Sequence, residues 1–118
     1  LMSAYDLAIA ARNVRTVPSL ARWVGLREHS FTDVDGEPHS FTNSNRRLPG
    51  GSYEYAGADG MKTGFTNRAQ HTLVASATRD GRTLIVVLLA QPDLFSRLTG
   101  RFPMVATGEA HGFQKRSI

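Results

Sequence analysis

Lys62, Thr63 and Gly64 stand together in the run Ala58-Asp59-Gly60-Met61-Lys62-Thr63-Gly64-Phe65-Thr66-Asn67. An ammonium, a hydroxyl and a residue without a side chain, placed just ahead of two strong strand patterns, suit an edge strand that grips a carboxylate. Lys62 supplies positive potential and Thr63 a hydroxyl donor; a charge-assisted bond of this kind contributes roughly 1.5–3 kcal/mol. Gly64 admits another backbone at close range. The N–H of Phe65 is then positioned to face a developing oxyanion, and losing one such donor costs about 2.7–4 kcal/mol in a serine hydrolase. Neighbouring side chains on a flat strand point to opposite faces. Lys62 and Thr63 therefore reach one pocket only where the strand twists beside Gly64. Taken alone, the tripeptide equally describes a strand beside a turn.

Rival chemistries find less support. His29, His39, His71 and His111 lack metal-ligand spacing, so neither a metal nor a cofactor is expected. The chain has no Cys, which removes disulfide and thiolate chemistry and fits an exported bacterial protein. No Gly-x-Ser-x-Gly turn is present to carry a Ser–His–Asp triad. Fourteen Lys and Arg against ten Asp and Glu leave a formal charge of +4. These cations are scattered among acids and apolar residues without aromatic interleaving, which argues for a solvated surface and against a nucleic-acid partner. No apolar stretch is long enough to span a bilayer as a helix, and no signal peptide is seen.

The elements that must position Lys62 and Thr63 are read from capping and periodicity. Ser3-Ala4-Tyr5-Asp6 forms a capping box, opening an Ala-rich helix that runs to about Asn13. Pro18 to Val24 makes a second short helix ending at Gly25, with Trp23 expected as a core anchor. Strands Phe31–Val34 and Pro38–Thr42 flank an Asp35-Gly36 turn. Residues 43–55 read as a surface loop. Met61–Phe65 is a short strand, His71–Thr78 a half-buried one, and Arg79-Asp80-Gly81-Arg82 a tight hairpin turn. Leu84–Leu89 is apolar throughout and is expected to be covered on both faces. A helix over Pro92 to about Leu98 ends at Gly100, and 101–118 is a weakly patterned tail. Three consecutive antiparallel strands with helices on either side in sequence predict an α/β class, layered α+β, with a domain over 1–100.

The order Asp59-Gly60-Met61-Lys62-Thr63-Gly64-Phe65-Thr66, then Leu73-Val74-Ala75-Ser76-Ala77-Thr78-Arg79-Asp80-Gly81-Arg82, then Leu84-Ile85-Val86-Val87 resembles the serine-type D-alanyl-D-alanine carboxypeptidases, the low-molecular-mass penicillin-binding proteins. Lys-Thr-Gly is one of three motifs of the penicillin-recognising serine enzymes. Ser3-Ala4-Tyr5-Asp6-Leu7-Ala8 is similar to the helix following that family's second motif. Phe41-Thr42-Asn43-Ser44-Asn45 resembles its Asn-containing stretch, and Gly112-Phe113 the end of its terminal helix. The resemblance covers roughly Leu1 to Ala90.

It implies a β-lactamase/penicillin-binding-protein transpeptidase-like fold and an extracytoplasmic location. The implied substrate is a peptidoglycan stem peptide ending in D-Ala-D-Ala, with β-lactams as its mimics. In the family a Ser from an S-x-x-K motif attacks the penultimate D-Ala carbonyl, D-Ala leaves, and water hydrolyses the acyl-enzyme. By the same resemblance Lys62 is the third motif's cation, Thr63 binds the terminal carboxylate, and the Phe65 N–H completes the oxyanion hole. Gly64 and Thr66 belong to the substrate-binding strand.

The departures are equally specific. No Ser is followed by Lys three residues on: Ser3 meets Asp6, Ser19 Arg22, Ser44 Arg47 and Ser76 Arg79, among others. Neither Ser-x-Asn nor Tyr-x-Asn occurs. Both motifs lie upstream of the opening helix in the family, so the expectation is the C-terminal half of a catalytic domain whose partner is the missing N-terminal half. Gln70 occupies a position where the family usually has Gly, tolerable if its φ is negative. Two alternatives remain, a non-catalytic peptide-binding module and a β-lactamase relative. Exposing these 118 residues to a fluorescent penicillin is expected to leave no stable covalent label; stable labelling refutes the expectation.

Overall fold

The structure, a computed structural model, describes residues 2–91 and 106–107. Helix α1 spans Ala4–Thr16 and opens as the capping box requires: the Asp6 N–H donates to Ser3 Oγ at 3.2 Å, and the Ser3 N–H donates to Asp6 Oδ2 at 2.8 Å. The helix extends one turn beyond the expected Asn13. Its small face, Ala8 and Ala11, is buried against Ile85 and Val87. Alanine lets the helix axis approach the sheet closely while costing no side-chain entropy.

Helix α2, Pro18–Val24, starts with Pro in its first turn and stops at Gly25. Val24 packs into the core beneath α1, whereas Trp23 is 63% exposed. The core-anchor expectation for Trp23 is therefore overturned. One step along a helix rotates the side chain by about 100°, so a helix this short that turns Val24 inward turns Trp23 outward.

Strands β1 (Glu28–Thr32) and β2 (Pro38–Thr42) form a separate antiparallel hairpin, every residue of which is exposed. Its turn is organised by Asp33, whose carboxylate accepts from the N–H groups of Asp35 and Glu37, with Gly36 at φ +86°. The rings of Phe31 and Phe41 stack across it at 5.8 Å.

The main sheet has the order β3 (Ala58–Thr66), β4 (Gln70–Arg79), β5 (Arg82–Gln91) and β6 (Ala106–Thr107), all antiparallel. The hairpin from β4 to β5 turns on Asp80 and Gly81, both at positive φ, as a two-residue turn between twisted strands demands. The expected helix over 92–98 lies outside the described residues. Of the expected tail, Ala106 and Thr107 pair with Ile85 and Leu84.

Two sequence expectations are corrected here. Gln70 has φ +55°, not a negative value; the turn from β3 into β4 needs a left-handed residue at that point, and Gln fills it at a steric cost that Gly avoids. The run Leu84–Leu89 is not evenly covered among the described residues. Ile85 and Val87 are buried on the α1 side, while Leu84 is 40% exposed. On Leu84's side Leu73, Ala75, Ala77, Leu84 and Val86 line an apolar cavity of about 370 Å³. Cross-strand pairing places Leu73 opposite Leu88, Ala75 opposite Val86 and Ala77 opposite Leu84, so this side is built for burial too.

One polar cluster ties helix to sheet. Arg15, in the last turn of α1, donates Nη1 to Asp59 Oδ1 at 2.8 Å and Nη2 to Oδ2 at 3.0 Å. Ser76 and Thr78 each donate a hydroxyl to the same carboxylate at 2.6 Å. Because the Thr78 proton is committed to Asp59, Thr83 must be the donor in its 2.9 Å contact with Thr78. Asp59 sits where the β3–β4 register shifts between Ala58 and Gly60, which frees its side chain to reach Ser76 and Thr78. Burial is the largest influence on its carboxyl and pushes its pKa up. The bonds from Ser76, Thr78 and Arg15, with the Arg15 charge, together outweigh that and hold it below the ordinary value.

A depressed carboxyl stabilises the fold above its unfolded value and loses that contribution as pH falls through the folded one. Asp59→Asn is expected to lower unfolding free energy at neutral pH by about 1–3 kcal/mol, towards the lower end because the pair is part-exposed. Urea unfolding followed across pH checks this: the gap between wild type and variant should narrow as pH falls below 3.8 and close once pH passes the lower folded value.

Candidate functional site

The border strand β3 carries Lys62 to Phe65 along a groove of about 680 Å³. Lys62 and Phe65 are exposed, and Thr63 and Gly64 half-buried. Lys62 and Thr63 line this groove together, although a flat strand separates adjacent side chains. The Lys62 ammonium bends back to donate to the Thr63 carbonyl, and the Thr63 hydroxyl meets that of Ser44. Gly64 pairs with Thr72 on β4, where an added Cβ would lie 2.7 Å from Thr72 Oγ1, so a side chain there would force the Thr72 hydroxyl to move. At the end of the groove the Phe65 ring lies 4.5 Å from that of His71. Thr66 is not brought into the groove wall. Its hydroxyl accepts from the Ala69 N–H at 3.0 Å and shapes the turn into β4.

The opposite wall was not anticipated in this form. Residues 43–55 have no regular strand or helix, yet they hold two of the most deeply buried side chains, Asn45 and Leu48. The expected surface loop is thus an anchored one. Asn43 donates from Nδ2 to the Leu26 carbonyl at 3.1 Å and accepts from the Asn45 N–H at 2.9 Å. Asn45 donates to the Gly60 carbonyl at 2.9 Å and accepts from the Arg47 N–H at 3.1 Å. Each amide satisfies backbone groups that would otherwise be stranded away from water. With Asn43 and Asn45 turned inward, Ser44 between them turns to Thr63. Arg46 then lines the groove, while Arg47 lines the apolar cavity instead. Burial pushes the Arg47 guanidinium below its usual pKa, against the raising influence of Tyr55 and Tyr53. The alternation Asn43-Ser44-Asn45 is the signal that sequence reading could have used.

Chemically, the groove is equipped to hold an anion. Lys62, Arg27 and Arg46 line it, with hydroxyls on Thr42, Ser44 and Thr63. Beyond Gly60, β3 is bonded among the described residues to β4 along one side only, which leaves room for an extended ligand against its other side.

Comparison with known proteins gives a uniform answer. A family model described as D-alanyl-D-alanine carboxypeptidase matches residues 1–93. The chain is 33% identical over 86 residues to the D-alanyl-D-alanine carboxypeptidase DacF of Bacillus subtilis (strain 168), an alignment covering 73% of this chain and 21% of that protein. It is 32% identical over 87 residues to the D-alanyl-D-alanine carboxypeptidase DacB2 of Mycobacterium tuberculosis (strain ATCC 25618 / H37Rv), covering 74% and 28% respectively. The chain therefore spans between a fifth and a third of the length of these relatives. Among solved structures, a peptidoglycan synthesis regulatory factor (PBP3) from Streptococcus pneumoniae superposes with a TM-score of 0.68 at 32% identity. That match covers 83% of this chain and 29% of the other.

Asn45→Ala removes a buried donor and leaves the Gly60 carbonyl unpaired. It should destabilise the fold by about 1–3 kcal/mol, whereas Ser44→Ala, which trims an exposed hydroxyl contact, should change stability by no more than about 0.5 kcal/mol. Chemical denaturation of the two variants beside wild type measures the difference.

Proposed function

Because the chain belongs to the D-alanyl-D-alanine carboxypeptidase family, we propose that it supplies the substrate-binding strand of a serine-type enzyme that removes the terminal D-Ala from peptidoglycan stem peptides. The fold is that of the penicillin-binding transpeptidases, antiparallel sheet with flanking helices. One observation carries the reading: Lys62 and Thr63 of the border strand line the same open groove.

In this reading a peptide ending in D-Ala-D-Ala lies along the free side of β3. Lys62 draws in the terminal carboxylate, and the Thr63 hydroxyl, which meets that of Ser44, turns to donate to it. The Phe65 N–H faces the carbonyl under attack and stabilises the negative charge that grows there. Gly64 has no side chain to press on Thr72 across the β3–β4 pairing, so the strand keeps its register there. The attacking Ser and its Lys base come from the S-x-x-K motif, which these 118 residues do not contain. β-Lactams, as mimics of the D-Ala-D-Ala end, are held by the same groups. The place of action is the outer side of the bacterial membrane, where the stem peptides are.

The alternative of a peptide-binding module without catalysis rests on the same strand and differs in having no partner that supplies the nucleophile. Titrating the chain with an acyl-D-Ala-D-Ala peptide should give saturable binding that Lys62→Ala weakens about tenfold or more, in line with the loss of a charge-assisted contact. Equal binding by wild type and variant removes Lys62 from the site.

A further inference from the structure

We propose that the depression between α2 and the β1–β2 hairpin binds a neutral sugar ring, an N-acetylated hexosamine of the glycan strand that carries the stem peptides. The choice of polymer rests on the function proposed above; the depression itself does not.

The hairpin has two unlike faces. Cross-strand pairing sets His29 beside Phe41 and Phe31 beside His39, so these four rings share one face, while Ser30 and Ser40 pair on the other. The ring centroids of Phe31 lie 5.2 Å from His39 and 5.8 Å from Phe41. An antiparallel pair with one apolar face ordinarily buries it, yet every residue of both strands is exposed. At the base of the hairpin Phe41 and Trp23, both more than half exposed, border a depression of about 390 Å³ with Arg27, Glu28, His29 and Asn43 around them. Exposed aromatic surface rimmed by polar groups marks a binding surface.

The polar groups decide what it takes. Arg27 and Glu28 bring one charge of each sign to the depression, which suits a neutral guest. A wholly apolar guest strips water from these groups without replacing its bonds. A pyranose ring meets both demands. Its C–H face lies on an aromatic ring, whose π face is negative, and its rim of hydroxyls both donates and accepts. The Glu28 carboxylate enters no ion pair among the described residues and is an acceptor for such hydroxyls. Arg27 donates from Nη1 to the Asn43 carbonyl, and its guanidinium has further N–H groups to offer. Arg27, Thr42 and Asn43 line both this depression and the β3 groove, so one ligand can place its peptide end on β3 and a sugar here.

Trp23 is the only tryptophan of the chain, so its fluorescence reads the site directly. Titrating the 118-residue chain with the tetramer of N-acetylglucosamine should shift that emission saturably. Maltotetraose, whose units lack the acetamido methyl and amide, should bind about threefold or more weakly. Phe41→Leu keeps an apolar side chain and removes the ring; it should weaken binding about threefold to tenfold. Glu28→Gln leaves the rings and removes the charged acceptor, and should weaken binding as well. Affinities are read from curve midpoints, so a loss of folded fraction in a variant does not mimic the effect. No saturable shift with wild type overturns the inference, and so does a midpoint that neither variant moves. Equal binding of maltotetraose overturns the assignment to this polymer. Emission that shifts with protein concentration alone, and no longer does so in Phe41→Leu, overturns it in favour of a face between two copies. The oligosaccharide has no D-Ala-D-Ala end, so failure of the peptide titration with sugar binding intact removes the terminal-carboxylate reading and supports the sugar site on its own.

Discussion

The carboxylate of Asp59 is the point on which the arrangement hangs. It receives Arg15 from the end of α1 and hydroxyls from Ser76 and Thr78 on β4, and so binds helix, border strand and central sheet at one place. The carboxylate is partly withdrawn from water, and donors meet both of its oxygens. Three residues further along the same strand is Lys62. One strand thus carries both the carboxylate that bonds the helix and the cation that lines the groove.

A second restraint works from the far wall. Asn43 and Asn45 turn a segment without regular secondary structure into a fixed one, by bonding to the Leu26 carbonyl and to the Gly60 carbonyl. Leu48 seals it from below. The groove is thus bounded by one wall made of sheet and one made of side-chain amides. The two walls are tied to one another where Asn45 donates to the Gly60 carbonyl. Ser44, between the two Asn residues, touches Thr63 as a consequence of that geometry.

Much of this was legible beforehand, for identifiable reasons. The capping box at Ser3 and Asp6, the Asp80-Gly81 turn and the paired strands β4 and β5 depend on local rules, and each appears where those rules place it. The family resemblance, carried by residue order from Asp59 to Val87, is matched by a family model over 1–93. What escaped depended on tertiary context. Trp23 is apolar and aromatic, and only the docking of Val24 decides that it faces outward. Residues 43–55 are polar and Gly-rich, and nothing in composition reveals that Asn45 finds partners in the interior. Gln70 adopts a left-handed backbone because the strand pairing on either side leaves it no other. The convergence of Arg27 and Arg46 on the groove follows from the path of that same segment, which periodicity does not encode.

The side of β3 that no other described strand pairs with has a consequence for how these molecules meet one another. A strand with free N–H and C=O groups is a template for any extended chain, including its own twin. When two copies approach border to border, each brings an exposed Lys62 to the seam, and ammonium groups on apposed strands repel. In the proposed function Lys62 recruits an anionic guest, and the same charge would then act as a gatekeeper against self-association.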